Sequence, residues 1–159
     1  MKKLTNYLFL ISFFVCFSAN AQWQRKFSKD DFTDVETVSY SVGALKGTAN
    51  GMFLLLFCKK SGVGVNWQIS FNDTSKAPFG GMPLEVNVRV DTNDIYKEEW
   101  TWSGASPMII PNNEQQKTLL KGLIGSKKLA LKTTFPEAIS TFDMSGYDQA
   151  LTEMTTKCK

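Results

Sequence analysis

Apolar and polar residues alternate with period two over much of this chain, a period that sends successive side chains to opposite faces of an extended backbone. Over residues 35–42, Val38, Tyr40 and Val42 alternate with Thr37, Ser39 and Ser41. Further on, Val63, Val65, Trp67, Ile69 and Phe71 share one face opposite Gly64, Asn66, Gln68 and Ser70. The most regular run sets Leu84, Val86, Val88 and Val90 against Glu85, Asn87, Arg89 and Asp91. Tyr96, Trp100 and Trp102 recur on one face of the strand after it. Residues 52–58 (MFLLLFC) are continuously apolar and short, which predicts a strand covered on both faces. Lys59-Lys60-Ser61-Gly62 then makes the turn of a hairpin. Leu129 and Leu131 stand between lysines and predict an exposed edge strand, and residues 139–144 predict another short one.

Two segments have helical spacing instead. Leu119, Leu120, Leu123 and Ile124 form an apolar stripe behind a capping box at Asn113 and Gln116, with Gly125 as the stop. Tyr147, Ala150, Leu151, Met154 and Cys158 form the second stripe, with Ser145 as its cap. Residues 22–34, polar with scattered Trp23, Phe27 and Phe32, predict an irregular arm. Runs of strands with two short helices, the last C-terminal, argue for a mainly β fold, an antiparallel β-sandwich or barrel-like domain over residues 22–159.

The first twenty-one residues have a different character. Lys2 and Lys3 make a positive start, residues 8–17 an apolar core, and Ala19-Asn20-Ala21 a cleavage site before Gln22. These are the three parts of a secretory signal peptide. The apolar core is about ten residues, half of the roughly 20 a spanning helix needs. Cleavage between Ala21 and Gln22 leaves no membrane span. The expected destination is the periplasm or the medium of a bacterium.

Composition changes the picture in three ways. A chain of 159 residues with 43% hydrophobic and 21% charged residues suits one globular domain. Removing Lys2 and Lys3 lowers eighteen basic residues to sixteen against fifteen acidic ones. That balance, with no basic patch interleaved with aromatics, argues against a nucleic-acid partner. The chain has no histidine, which excludes a Ser-His-Asp triad, a Cys-His dyad and imidazole metal ligands. Cys16 leaves with the signal, so the exported chain keeps Cys58 and Cys158. An even pair in an exported protein reads as a disulfide. Its loop of about 100 residues would contribute roughly 4–5 kcal/mol by the chain-entropy argument. The alternative is two buried or reactive thiols, without a Cys-x-x-Cys motif or a histidine to activate them.

Few residue sets point to chemistry. Asp30, Asp31 and Asp34 read as a solvated turn, with a cation site as the alternative. Asp91, Asn93 and Asp94 offer oxygens that calcium could use, but they also make an ordinary Asx-rich turn. Adjacent Glu98 and Glu99 point to opposite faces, whereas Glu85 and Glu98 could approach across strands as a carboxylate pair. Arg89 with Trp100, Trp102 and Ser103 is the leading binding set. If they share a face, the guanidinium stacks on an indole and offers its fork to a carboxylate. The competing reading buries both tryptophans in the core. Phe79, in the loop Pro78-Phe79-Gly80-Gly81-Met82-Pro83, is a second candidate tip. No residue pattern calls for a cofactor or a metal.

Several of these stretches together resemble a family. They are the early strand ending in Cys58, Val86 to Asp91, Trp100 to Ser103, Leu119 to Lys132, and Phe142-Asp143-Met144-Ser145-Gly146-Tyr147 with its trailing Cys158. In this arrangement the chain resembles small exported bacterial proteins of the VasI type, accessory to type VI secretion, and more distantly the invasion-associated locus B family. Position by position, Arg89, Asp91, Trp100, Ser103, Phe142, Asp143, Ser145 and Gly146 match, with Cys58 and Cys158. The resemblance implies a β-rich periplasmic domain without catalysis. The expectation is therefore a non-catalytic exported accessory protein that acts by contact with an unidentified protein partner, possessed of a secretion or virulence role. The alternatives are an inhibitor of a host or rival enzyme such as lysozyme, and a hydrolase built on carboxylates.

Overall fold

The computed structural model describes residues 23–47, 52–59, 66–70, 80–103, 108–111, 113–134 and 137–157. Among them are ten strands: β1 (Gln24–Lys29), β2 (Glu36–Gly43), β3 (Lys46–Gly47), β4 (Phe53–Lys59), β5 (Asn66–Ser70), β6 (Pro83–Val90), β7 (Tyr96–Trp102), β8 (Met108–Pro111), β9 (Lys128–Thr134) and β10 (Glu137–Asp143). Helix α1 (Asn113–Gly122) lies between β8 and β9, and α2 (Tyr147–Lys157) follows β10. The fold is mainly antiparallel β with two helices, the last C-terminal. No helix among the described residues is long and apolar enough to cross a membrane.

The strands form one antiparallel sheet in the order β1-β2-β4-β5-β8-β7-β6-β9-β10-β3. Only Ala44 and Leu45 separate β2 from β3, yet these strands occupy the second and the last places. A flat sheet would hold them nearly 40 Å apart at about 4.8 Å per strand, whereas three residue steps reach at most about 11 Å. The sheet therefore curls until β10 meets the continuation of β2. Two hydrogen bonds mark the closure: Ala44 N–H donates to the Met52 carbonyl at 3.0 Å and Leu45 N–H to the Thr141 carbonyl at 2.7 Å. Gly47 is required here by space, because a Cβ would stand 2.5 Å from the Ile139 carbonyl oxygen.

The inner face carries the core. Val38, Tyr40 and Val42 meet Leu54, Leu56 and Cys58, and Leu84, Val86 and Val88 meet Leu129 and Leu131. Helix α1 packs on β5 and β8, and α2 on β2 and β4. Their buried residues, Leu119 and Leu123 with Tyr147, Ala150 and Met154, join the same core. The Tyr147 hydroxyl donates to the Leu120 carbonyl at 3.0 Å and ties the helices together. Gln116 reaches back to the Pro111 carbonyl at 2.9 Å, close to the expected cap.

Three expectations are corrected. The arm before β2 is strand β1, paired with β2 from Gln24 to Lys29, and Trp23 is buried with its ring 5.7 Å from that of Tyr147. Backbone pairing with β2 holds a segment whose side chains are all exposed, so period-two burial never registers in it. Strand β9 is not an edge: it lies between β6 and β10, and its lysines mark a solvated face rather than a free flank. Strand β4 is fully covered on one face only, since Phe53 is exposed and Leu55 and Phe57 are half-buried.

Helix α2 is also held electrostatically. Glu153 accepts from the Tyr40 hydroxyl, from Lys157 at 2.7 Å and from Arg25 at 3.0 Å. The Lys157 and Tyr40 hydrogen bonds, with the Arg25 charge, lower its pKa to about 2. The folded state thus holds this proton more weakly than an ordinary glutamate near 4.5 does. The stabilisation is complete above that ordinary value and is lost as pH falls toward 2. Acid unfolding of Glu153→Gln should lack the part of the transition that the parent shows between pH 4.5 and 2, read by circular dichroism. At the seam, Gly47→Ala should lose about 1–3 kcal/mol in urea unfolding, the usual range for a forced overlap. Gly122→Ala in α1, where a Cβ meets nothing within 4 Å, should gain about 0.4–1 kcal/mol.

Candidate functional site

The face of a side chain in this sheet follows from register, because residues paired across antiparallel strands point the same way. Leu84 pairs with Trp100, Val86 with Glu98 and Val88 with Tyr96. All three β6 residues are buried, so Trp100, Glu98 and Tyr96 belong to the inner row. Trp100 is 0% and Trp102 3% exposed. Arg89 is exposed on the other face, paired with Ala130 of β9. The leading binding set is therefore not brought together. The tryptophans are core residues, and the guanidinium cannot stack on them through the sheet. Ser103 follows β7, half-buried, next to a bridge in which Gly81 N–H donates to the Trp102 carbonyl at 2.8 Å. Phe79, Ala21, Gln22 and Cys158 lie outside the described residues.

Asp91 is structural. It has a positive φ of 52°, and its carboxylate accepts from the Lys127 and Lys128 backbone N–H groups at 2.9 and 2.8 Å. Its own N–H donates to the Lys128 carbonyl at 2.9 Å. It thus clamps the β6–β7 turn to the start of β9 through one carboxylate oxygen. Asp30, Asp31 and Asp34 sit at the β1–β2 turn, where Asp30 accepts from the Phe32 and Thr33 N–H groups and Asp34 pairs with Lys29 at 2.6 Å. The Phe142 to Tyr147 stretch is the turn that launches α2. Phe142 and Tyr147 are buried, Asp143 accepts from the Ser145 N–H at 2.8 Å, and Gly146 has φ 87°.

Glu85 and Glu98 do not form a carboxylate pair. Glu85 shares the outer face with Glu99 and is bridged by Lys97 at 3.0 Å, while Glu98 is on the inner row. Half-buried, Glu98 accepts from Trp100 Nε1 at 2.6 Å. Burial raises its pKa, against that hydrogen bond. Burial and the nearby Glu98 charge push the Tyr96 phenol to about 12.

What the structure gathers around Arg89 is a hollow of about 410 Å³ on the outer face of β6, β9 and β10. Its walls are Asn87, Ala130 and Lys132, with Ile95 from the β6–β7 turn and Ile139 from β10. Ile95 and Ile139 are 62% and 46% exposed. Arg89 Nε donates to the Asn93 carbonyl at 3.1 Å, which holds the guanidinium at the rim. No acid pairs with it among the described residues. Lys132 is engaged by Glu137 at 3.1 Å. Sequence reasoning missed both isoleucines. In β10, Ala138, Ile139 and Phe142 lie on both parities, so alternation did not show which face Ile139 takes.

Cys58 is buried and disulfide-bonded. A small hollow of about 240 Å³ beside it is also lined by Lys157, the residue before Cys158. Compared with protein-family models, curated proteins and solved structures, the chain gives no significant match.

The Tyr96 environment is directly measurable. Ultraviolet titration should show one phenol ionising near pH 12. Glu98→Gln should bring that midpoint down by less than the full displacement, because burial is the larger cause.

Proposed function

We propose that this chain is a non-catalytic, exported binding protein of the bacterial envelope that acts by contact with another protein through the Arg89 hollow. The observation that carries the reading is the hollow itself. It sets one guanidinium, without an acid partner among the described residues, beside two exposed isoleucines on the outer sheet face. Arg at the rim of an apolar depression suits a partner chain that presents a carboxylate beside an apolar side chain. The export half of the reading rests on the leader-like residues 1–21 and on pairing of Cys58 with Cys158. The end of α2 beside Cys58 supports that pairing. The VasI-type resemblance, with a secretion-accessory or virulence role, supports the same class.

The test is a crosslinking pull-down from periplasm and culture medium, with oxidised protein beside Arg89→Ala and Ile139→Glu variants. The expected outcome is one envelope or secreted protein captured by the parent and depleted about tenfold or more by either variant, a charge-assisted contact being worth roughly 1.5–3 kcal/mol. Equal capture by all three would exclude this surface.

A further inference from the structure

We propose that the outer edge of β1 takes up an extended segment of another protein as an added antiparallel strand, one in which an apolar residue is followed directly by an acid. This surface lies apart from the Arg89 hollow and stands whether or not that hollow has a partner. Strand β1 ends the sheet, and no described strand pairs with its outer side. The opposite end, β3, is blunted by its length of two residues, whereas β1 runs for six.

Alternation decides which backbone groups β1 offers. Asp30 N–H donates to the Val35 carbonyl at 3.0 Å, so Asp30 faces β2. Along an antiparallel strand, every second residue turns its N–H and C=O to a given neighbour. Gln24, Lys26 and Ser28 therefore face β2, and the N–H and C=O groups of Arg25, Phe27 and Lys29 point away from it. The bond from Ala44 N–H to the Met52 carbonyl gives β2 the same parity from its other side. The outward groups of Arg25, Phe27 and Lys29 have no backbone hydrogen bond among the described residues. Such a row of donors and acceptors is a template for a further strand.

The side chains select the segment. Phe27 pairs with buried Val38 and so lies on the inner row, yet it is 52% exposed at the end of the sheet. A hollow of about 240 Å³ lined by Arg25, Phe27 and Val38 opens on the same side. An apolar residue set opposite Phe27 covers its ring. Lys26 pairs with Ser39 on the outer row and makes no ion pair among the described residues. Arg25 and Lys29 are engaged by Glu153 and Asp34, so Lys26 sets the charge preference, and an acid opposite it makes a cross-strand pair. In an added antiparallel strand the residue facing Lys26 comes directly after the one facing Phe27, which fixes the order as apolar, then acid. A second copy of this chain fits poorly. With Phe27 set against Phe27, Lys26 meets a serine instead of an acid, and Arg25 stands opposite Lys29 twice, an arrangement of like charges that destabilises a strand pair.

The test is hydrogen exchange of oxidised, nitrogen-15-labelled protein, read by amide NMR. In the free protein the Arg25, Phe27 and Lys29 amides should exchange about tenfold or more faster than those of Lys26 and Ser28, which the β2 ladder holds. The blocked peptide Thr-Thr-Val-Glu-Thr-Thr should slow those three amides in a saturable way. Its Thr-Thr-Val-Lys-Thr-Thr counterpart should bind about two- to fivefold more weakly, the scale of one cross-strand pair, and Lys26→Glu should reverse that order. Phe27→Pro removes an outward N–H and leaves the β2 ladder in place, so it should keep the circular dichroism of the parent and lose the binding. Slow exchange at Arg25, Phe27 and Lys29 in the free protein would overturn the proposal: independent of concentration it means the edge is covered by this chain itself, and rising with concentration it means a second copy. Equal affinity of the parent for the two peptides, or binding that survives Phe27→Pro, would overturn it as well.

Discussion

The two residues between β2 and β3 constrain the whole molecule. Ala44 and Leu45 are too few to cross a flat sheet, so pairing of β3 with β10 forces the ten strands to curl. Curling separates an inner face that collects Trp100, Phe142 and the leucines from an outer face that keeps the lysines and glutamates. Helices α1 and α2 add their apolar sides to the same interior, and the Tyr147 hydroxyl links one to the other. Gly47 is the local condition for all of this, since a side chain there would push β3 off β10.

Once the faces are separated, chemistry is distributed by parity. Residues one apart in sequence, such as Glu98 and Glu99, end on opposite sides of the sheet. Residues far apart, such as Arg89 and Ile139, come to line one hollow. The inner acid Glu98 is satisfied by an indole N–H and raised by burial. Outer acids such as Glu85 and Glu137 pair with lysines at the surface, where such pairs contribute little each. The exception is a functional candidate: Arg89, whose guanidinium pairs with no acid among the described residues.

Acids at turns do a third job. Asp30, Asp91 and Asp143 each accept backbone N–H groups where the chain reverses or changes element. Asp91 and Asp34 adopt positive φ, a conformation that Asp tolerates better than most residues. These carboxylates look like ligand groups in the sequence because Asp clusters also make metal sites. The backbone has already claimed Asp91 through two N–H groups, and Asp143 through one. Glu153 serves the same end between elements, joining α2 to β1 and β2 through Arg25 and Tyr40.

The sequence by itself determined the strand content, the two helices and most of the core. Burial of alternate residues writes period two into β2, β6 and β7, and burial of one helical stripe writes the spacing of Leu119, Leu123, Tyr147, Ala150 and Met154. It could not show β1 or β3, because a strand held by backbone hydrogen bonds with every side chain exposed leaves no apolar period. Nor could it show that β9 is interior, since alternation reports one solvated face and says nothing of neighbours along the sheet. The candidate sites were legible only in part: Arg89 stood out as a cation on a polar face, but its companions did not. Trp100 was read beside it and lies behind it, while Ile95 and Ile139 come from other elements. Only the tertiary structure decided those groupings, because register and sheet closure are set by contacts between residues distant in the chain.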